Sequence, residues 1–560
     1  MVSENQVVTH HNKDDGETVA SVRIDGLAVN ASGHRDQLSR QYGIMALAGM
    51  ALTIDNAWLA LGSSISLSIL NGGPPGLIFG LIVAATYYIF IGLSLSELAS
   101  SLPTAGGVYH WASVAGGDRF GRMLGFFTGW INFYGWMFDL AALVQITANI
   151  VVSMYAIYHP GYSSQPWHVY IAYLIILWFC CLMTVFGNKF IKYTQYFGLL
   201  FVTLGGVATI VVLATMPVKH ASNEFVWGSF EENNLTGWTG GIAFILGVLN
   251  GAFTIGTCDS VTHMSEELPH PRRDLPKAIM LQIGLGFVYA FSFAIALCYA
   301  ITDMDALDGG INTYPLTNIY LQATANAQGE KNLGATFGLL FILLGSGLPC
   351  CLATMVTNSR TYWALARDSA VPLSPLFATV NENLSSPVPA TLFVAIVATG
   401  LGAIPLGSES AFLALAGSFI ILTSVSYCIP FVANMASRRK YFPPGPFSLG
   451  KWGYLINGAA VTFIIFFDVM FCFPFALPVK VEGMNWNSVI LVGTVVVTAA
   501  WWMIHARKHY PGPKVIKLYV HEADEPEETR DSEAETVQDR GTDTGTSKDG
   551  LETSGVPVDG

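Results

Sequence analysis

The stretch GMALTIDNAWLALGSS (residues 49–64) places Asp55 and Asn56 in the middle of an apolar run. A second stretch, GVLNGAFTIGTCDSVTH (residues 247–263), gathers glycines and small polar residues around Gly256 in the same way. Such residues weaken a helix, and lipid cannot satisfy the backbone groups that an interruption frees. Each stretch is therefore predicted to be a broken membrane helix lining a protein cavity. Glycines serving only close helix contacts are the alternative.

These stretches belong to the first and sixth of twelve apolar runs, most of them long enough to cross a hydrocarbon core. Only 12% of the residues are charged and 52% are hydrophobic, whereas about a quarter of the residues of soluble domains are charged. The third run also contains small polar interruptions. An all-α integral membrane protein with twelve transmembrane helices is predicted, at residues 42–70, 77–95, 123–155, 169–186, 190–213, 241–266, 278–301, 335–356, 390–404, 411–435, 452–475 and 489–504.

Basic residues predict the orientation. If both chain ends are cytoplasmic, the opposite loops keep only Lys219, Lys331 and Lys480, as the positive-inside rule requires. The domains expected are a disordered N-terminal tail (1–41), a transporter domain (42–508) and an acidic disordered C-terminal tail (509–560). The plasma membrane is the expected location, with the vacuolar membrane as the alternative. The cysteines fall within the runs as packing residues, and Asn234 is the glycosylation sequon predicted to face outward.

Four longer strings resemble the signature loops of a known family. They are SELASSLPTAGGVYHWAS (96–113), GFFTGWINFYGW (125–136), HMSEELPHPRRDLPKAI (263–279) and NSRTYWALARDSAVP (358–372). The chain resembles the amino acid–polyamine–organocation superfamily, and within it the fungal branch of amino acid, choline and GABA permeases. That resemblance implies an inverted five-plus-five helix repeat with helices 1 and 6 broken, plus two peripheral helices.

Two acidic residues within the runs are candidates for a binding site. Asp55 lies at the first break together with Asn56, and Asp139 lies near the middle of the third run. An ionisable group inside a bilayer is costly and is a functional candidate for that reason. The two carboxylates either face a cationic substrate or coupling proton, or are paired with backbone donors and serve structure alone.

Aromatic residues near the expected cavity are the next candidates for substrate contact. Trp58, Trp130, Tyr134 and Phe253 could attract a quaternary ammonium group by cation–π contact, or could be packing residues like most aromatics of this chain. Backbone N–H groups around Gly256 would instead suit a substrate carboxylate.

The segment after the second break carries candidates for proton coupling or gating. Asp259 and His263 are four residues apart, so they would face each other on a helix, and Glu266 follows one turn later. A structural contact and a proton relay are both consistent with this spacing. Asp468, in the eleventh run, is interpreted as structural.

The leading functional hypothesis is a secondary active transporter that imports choline or a related small organic amine with a proton. The main alternative is a GABA or amino acid permease, and an exchanger or polyamine carrier would also fit. A transporter-like nutrient sensor represents a different class. No nucleotide loop, metal cluster or nucleophile constellation indicates an enzyme. No cofactor is expected apart from the coupling proton, and no nucleic-acid partner.

The C-terminal tail generates a first prediction. Its acidic composition and exposed Ser, Thr and Lys favour recognition by trafficking or ubiquitination machinery. Removal of residues 518–560 should therefore change the amount of transporter at the cell surface without changing substrate affinity. Surface biotinylation together with uptake kinetics measures both quantities, and a changed affinity would contradict the assignment.

Overall fold

The computed structural model describes residues 6–11, 18–24, 27–29, 31–33, 43–304, 307, 314–407, 411–480, 484–516 and 520. Twelve spans within these residues are long and apolar enough to cross a membrane, which confirms the predicted fold class. Numbered in chain order, spans 1 to 12 comprise the helices Ile44–Asp55 with Ala57–Ser63, Gly73–Ser101, Gly117–Ala156, Pro166–Phe186, Ile191–Leu200 with Phe201–Gly205 and Gly206–Thr215, Gly240–Ile255 with Ser260–Glu267, Pro271–Ala300, Leu333–Arg367, Val388–Leu401, Ala411–Ala436, Gly453–Phe471, and Asn487–Trp501 with Trp502–Ala506 and Arg507–His509.

Short helices connect some of the spans. They are Ile65–Leu67, Val108–Ala115, Asn188–Phe190, Asn223–Trp227, Pro315–Ala323, Ser374–Phe377, Ile404–Leu406 and Gly450–Trp452. The end of the bundle where span 2 finishes and span 3 begins carries Arg272, Arg367 and Arg439, and is called the basic end below.

Span 1 breaks at a single residue. Asn56 adopts a left-handed conformation (φ 33°, ψ 50°) between the helices Ile44–Asp55 and Ala57–Ser63. Asparagine tolerates this conformation better than most residues because its short side chain can bond locally. The break predicted at Asp55 and Asn56 is therefore present.

Span 6 breaks over four residues. The helix Gly240–Ile255 ends at Gly256, and a 3₁₀-helix, Ser260–Glu267, continues toward the basic end. No side chain fits at Gly256, because a Cβ there would lie 2.5 Å from Cδ1 of Ile420 and 3.0 Å from the hydroxyl of Tyr88. Close packing by spans 2 and 10 thus shields this break from lipid, as unwound backbone requires.

Span 3 differs from the expectation, because it is one continuous helix. Its glycines serve close packing instead of a break. A Cβ at Gly121 would lie 2.1 Å from the backbone oxygen of Ser113, and one at Gly125 would lie 1.8 Å from the Ser113 hydroxyl. These small residues let span 3 pack against the helix Val108–Ala115, which is the contact that small residues commonly provide in membranes.

The packing of the spans reflects two related halves. Span 2 packs along span 7, span 3 along span 8, and span 4 along span 9, while the two broken spans meet at their breaks. Each such pair is separated by five crossings, so its members run in opposite directions. Spans 11 and 12 lie outside this core, and span 12 exposes an apolar stripe at Val489, Val492 and Val496. This pairing is that of an inverted five-plus-five repeat with two peripheral helices.

The N-terminal tail contains backbone pairing that its composition does not predict. Three strands, β1 (Gln6–His11), β2 (Thr18–Ile24) and β3 (Leu27–Val29), form an antiparallel sheet in the order β1-β2-β3. This differs from the disorder expected for residues 1–41.

Part of the predicted C-terminal tail (509–560) also differs from disorder, because Tyr510 and Val515 are buried and Tyr510 packs on Phe126. Residues 517–519 and 521–560 lie outside the described residues, so their disorder stays a prediction.

The sequon at Asn234 is part of an ordered turn. The Asn234 amide donates to the Trp238 backbone oxygen (2.8 Å) and accepts from the Thr236 hydroxyl (2.7 Å). A glycan on this nitrogen would leave it one N–H donor in place of two.

The close approach of spans 2 and 6 generates a second prediction. A Cβ at Gly251 would lie 2.8 Å from Cα of Leu81, a backbone atom that cannot move cheaply. Gly251→Ala should lower the free energy of unfolding by about 1–3 kcal/mol, as overpacking does. The thermal stability of the purified protein in detergent measures the change.

The same helix provides the matched control. A Cβ at Gly241 would meet nothing within 4 Å, so Gly241→Ala should leave the melting temperature unchanged or raise it. Equal effects of the two substitutions would contradict the packing argument.

Candidate functional site

The side chain of Asp55 joins spans 1, 6 and 7. Its Oδ1 accepts hydrogen bonds from the Thr257 hydroxyl (3.1 Å) and from Nε2 of Gln282 (3.2 Å), and Gln282 also donates to the Thr257 hydroxyl (2.7 Å). Asp55 is only 4% exposed. Its second oxygen, Oδ2, has no hydrogen-bond partner among the described residues. One carboxylate oxygen is thus held by two donors, and the other is buried without a hydrogen bond.

Gly286 of span 7 makes room for this carboxylate. A Cβ at Gly286 would lie 2.2 Å from Oδ2 of Asp55. The absence of a side chain therefore lets span 7 approach the break of span 1. Neither Gly286 nor Gln282 was among the residues predicted from the sequence, although a glutamine within the apolar string AIMLQIGLGF (278–287) is a signal of a buried polar contact.

Asn56 adds an unpaired amide beside Asp55. The side chain is 1% exposed, and neither its Nδ2 nor its Oδ1 finds a partner in the part of the chain that the structure describes. Buried polar atoms are nearly always hydrogen-bonded, and an unsatisfied one costs about 1–3 kcal/mol. Such an amide at a helix break is the arrangement expected of a group that binds a ligand or an ordered water.

Asp139 of span 3 is connected to the span 1 break through Cys350 of span 8. The Cys350 thiol donates to the Ile54 backbone oxygen at 3.3 Å, directly before the span 1 break. Cys350 is close enough to interact electrostatically with both Asp55 and Asp139. Asp139 is 1% exposed, and its Oδ2 has no hydrogen-bond partner among the described residues. Cys350 of span 8 thus lies near both predicted carboxylates, and no direct contact joins Asp139 to Asp55 among the described residues.

Asp259, by contrast, is fully committed to protein contacts. Its carboxylate accepts from Nδ2 of Asn132 at 2.9 Å, from the Tyr427 hydroxyl, and more weakly from the Trp136 indole at 3.4 Å. His263 Nε2 lies 3.4 Å away, which is the face-to-face placement predicted from the spacing. Asp259 therefore ties spans 3, 6 and 10 together.

The predicted gating residue Glu266 forms an ion pair at the basic end. Its carboxylate accepts two hydrogen bonds from the Arg367 guanidinium, at 2.9 and 2.7 Å. The Ser32 hydroxyl of the N-terminal tail also donates to Glu266 at 3.1 Å. The neighbouring Glu267 pairs with Arg360 at 3.2 Å, and all four charged side chains of these two pairs are at most 5% exposed. These two pairs close the basic end between spans 6 and 8.

Phe253 is the aromatic candidate that lies at a break. It is one turn before Gly256, is 3% exposed, and meets Phe419 of span 10 edge-on with ring centroids 6.1 Å apart. Trp58 faces away from the breaks, because its indole donates to the Val202 backbone oxygen (3.1 Å) and its ring packs on Phe293.

Trp130 and Tyr134 lie elsewhere on span 3. The Trp130 indole donates to the Ala370 backbone oxygen at 3.2 Å, near the basic end. Tyr134 stacks beside Trp130 with centroids 5.5 Å apart and interacts with Thr498 of span 12. The structure therefore gives both rings packing partners and does not bring them to Asp55.

The break at Gly256 presents both kinds of helix end. The helix Gly240–Ile255 ends there with unpaired carbonyl groups, and the 3₁₀-helix Ser260–Glu267 begins there with its first N–H groups, so the predicted N–H site for a carboxylate stays a prediction. The C-terminal end of a helix carries partial negative charge and favours a cation. Asp468, interpreted as structural, accepts from Ser424 at 2.7 and 2.9 Å and joins span 11 to span 10.

Comparisons with known proteins agree with this architecture. A family model described as amino acid permease matches residues 43–499. The choline transporter of Saccharomyces cerevisiae is 32% identical over 502 residues, covering 89% of this chain and 85% of that protein. Amino-acid permease BAT1 of Arabidopsis thaliana is 27% identical over 492 residues, covering 86% and 94%.

A further relative is named for two substrate classes. A putative amino acid/polyamine transporter of Macrophomina phaseolina is 29% identical over 450 residues, covering 79% of this chain and 96% of that protein. The family match spans all twelve helices up to the middle of the last one. The resemblance read from the signature loops is thereby confirmed, and the chain belongs to the amino acid permease family of multi-pass membrane transporters.

Proposed function

We propose that this transporter imports choline or a related small organic amine, together with a proton, by alternating access. The observation that carries the proposal is the pair of buried carboxylates with an unpartnered oxygen, Asp55 and Asp139. No ion pair of either group appears among the described residues. A buried charge without a partner is costly, and a bound cation or proton removes that cost.

The breaks of spans 1 and 6 present helix ends of both polarities. The helices Ile44–Asp55 and Gly240–Ile255 reach the breaks with their C-terminal ends, which offer a cation partial negative charge. The helices Ala57–Ser63 and Ser260–Glu267 begin at the same breaks with the opposite polarity, so the preference for an ammonium group rests on the carboxylates. Similarity to the yeast choline transporter supports the same choice.

An amino acid or GABA is the second candidate. It is favoured by the unpaired Asn56 amide, whose Nδ2 could donate to a substrate carboxylate, and by similarity to proteins named as amino acid permeases. Such a carboxylate would lie beside Asp55 and be repelled by it unless Asp55 held the coupling proton. The organic cation avoids this conflict and is the preferred substrate.

The ion pairs of the basic end suit a role in gating. The ion pairs Glu266–Arg367 and Glu267–Arg360 close that end of the bundle. Separation of these pairs would open a route to it from the interruptions of spans 1 and 6. Together with the positive-inside rule, this supports a cytoplasmic basic end with both termini inside. The plasma membrane is the proposed location, since import from the medium takes place there.

A direct uptake measurement tests the proposal. Transporter-deficient cells expressing the chain would be given radiolabelled choline, GABA, putrescine and common amino acids, with and without a protonophore. Choline uptake that the protonophore abolishes, and that rises as the external pH falls, is the expected result. Uptake of GABA or an amino acid in place of choline would overturn the preferred substrate.

Substitution of Asp55 is the third prediction. Asp55→Asn keeps the size of the side chain and removes the charge, so choline binding should lose about 2–5 kcal/mol, as when one member of a buried charge pair is removed. Radiolabelled uptake should fall accordingly and lose its dependence on external pH, with the variant still present at the surface.

Asp468→Asn provides the matched control for this variant. Asp468 is another buried aspartate of a membrane span, and its contact with Ser424 survives the change because an asparagine oxygen still accepts a hydrogen bond. Its uptake should equal that of the unmodified chain. Full pH-dependent uptake by Asp55→Asn would contradict the role given to Asp55.

The space at Gly286 generates the fourth prediction. Gly286→Ala places a methyl group 2.2 Å from the free oxygen of Asp55, so the carboxylate must move from its position. The KM for choline should rise about tenfold or more, equivalent to about 1.4 kcal/mol. Gly284→Ala on the same span meets nothing within 4 Å and should leave the KM unchanged. Equal KM values for the two variants would argue against a site that includes span 7.

A further inference from the structure

The imidazole of His263 lies between two hydrogen-bond acceptors. Its Nδ1 is 3.1 Å from the backbone oxygen of Ala105, and its Nε2 is 3.4 Å from Oδ2 of Asp259. Ala105 belongs to the linker 102–107 that follows span 2, called the span 2 linker below. His263 and Asp259 are both buried. One ring thus connects the span 2 linker to the segment that follows the span 6 break.

The contacts of His263 with Ala105 and Asp259 together require a defined number of protons. A backbone oxygen only accepts, so Nδ1 must carry a proton to bond Ala105. A neutral imidazole has a single N–H, which leaves Nε2 as a lone pair facing the carboxylate of Asp259. Neither tautomer of a neutral ring can satisfy both contacts while Asp259 is ionised. The arrangement therefore needs one additional proton on the His263–Asp259 pair.

The other donors around Asp259 indicate where that proton lies. Asn132, Trp136 and Tyr427 already donate to the carboxylate, which is the environment of an ionised group. We therefore place the additional proton on the ring, where Nε2 would donate to Oδ2 of Asp259 across 3.4 Å.

We propose that His263, Asp259 and the Ala105 carbonyl form a proton-dependent latch that holds the span 2 linker against span 6. When the proton leaves, one of the two contacts must break, because the ring can donate only once. Gly107 shows how closely the linker is held: at φ 50°, a Cβ there would lie 2.8 Å from the Thr262 hydroxyl oxygen. Loss of the proton should therefore loosen the basic end next to the substrate site.

His110 shows that the double-acceptor arrangement is specific to His263. Its Nε2 lies 2.8 Å from Asp368, and its Nδ1 lies 2.9 Å from the Thr104 hydroxyl, which can donate as well as accept. A neutral ring satisfies both contacts. Burial and the Asp368 carboxylate raise the pKa of the Tyr109 hydroxyl well above its usual range, so Tyr109 remains a donor to Asp368.

The surroundings of the pair contain few other titratable groups. Asp139 of span 3 is close enough to interact with the Asp259 charge. The remaining titratable groups that face Asp259 are weak acids, namely Tyr88 of span 2, Cys258 of span 6 and Tyr427 of span 10. The Trp136 and His263 rings meet edge-on.

Hydrogen exchange of the span 2 linker tests the latch without any substrate. The full-length protein in lipid nanodiscs would be labelled in D₂O between pH 5 and pH 8, and protection factors for residues 102–107 corrected for intrinsic exchange. The expected protection falls about tenfold per pH unit in the range where the pair loses its proton. His263→Gln should abolish this pH dependence, because a glutamine amide does not titrate.

His110 itself contacts the linker through Thr104, so the control is His168→Gln, at the opposite end of the bundle where span 4 begins. It should keep the pH dependence of the linker. Two results would overturn the latch: protection of the unmodified linker that does not change with pH, or the same loss of pH dependence in both variants.

A transport assay connects the latch to the proposed proton coupling, on which its functional meaning rests. Choline counterflow needs no proton gradient, so His263→Gln should retain counterflow and lose accumulation driven by a pH gradient. Retained accumulation in this variant would overturn the role in coupling. If the unmodified chain does not transport choline, the substrate proposal fails, and the exchange experiment still decides the latch.

Discussion

The absence of hydrogen-bond partners in lipid is the constraint on which the structure depends. A helix that breaks in the membrane exposes backbone groups, and these must be surrounded by protein. The breaks at Asn56 and Gly256 therefore require neighbours on every side. Spans 2 and 10 cover the break of span 6, while spans 7 and 8 meet span 1 at Asp55 and Ile54. The arrangement of the core spans follows from this need, and spans 11 and 12 are left outside because no break requires them.

The two parts of span 6 are held by different forces. The helix Gly240–Ile255 packs against span 2 through apolar and backbone contacts that cannot be exchanged easily. The segment 259–267, which is the 3₁₀-helix Ser260–Glu267 and the residue before it, is held at four acidic or basic side chains by partners on spans 3, 8 and 10 and on the span 2 linker. Buried ion pairs contribute little net stability, because desolvation offsets most of the attraction. Such contacts suit a segment that must release and rejoin its neighbours.

Much of the fold and part of the site follow from sequence alone. The apolar runs and their polar interruptions predicted the twelve spans and both breaks, and the four-residue spacing placed His263 opposite Asp259. The aromatic assignments on span 3 were less successful for a geometric reason. Five residues separate Tyr134 from Asp139, a rotation of about 140° on a helix, so the two cannot face one cavity. Gln282 and Gly286 could not be assigned, because the depth at which span 7 meets span 1 is a tertiary property. The sheet in the N-terminal tail was not predicted, because the tail as a whole has a polar composition. No contact among the described residues explains why the sheet forms.

The placement of Asp139 suggests how substrate and proton can influence each other. A transporter couples two ligands only if binding of one changes the free energy of binding the other. In the proposed site Asp139 binds the substrate cation, and it is also close enough to Asp259, one member of the proposed latch, to interact with its charge. A cation bound at Asp139 would change the electrostatic potential at Asp259. Occupancy of the breaks and the contacts of the span 2 linker would then be linked through one carboxylate. Two carboxylates on spans 3 and 6 are thus sufficient, in electrostatic terms, to connect occupancy of the breaks with opening of the basic end.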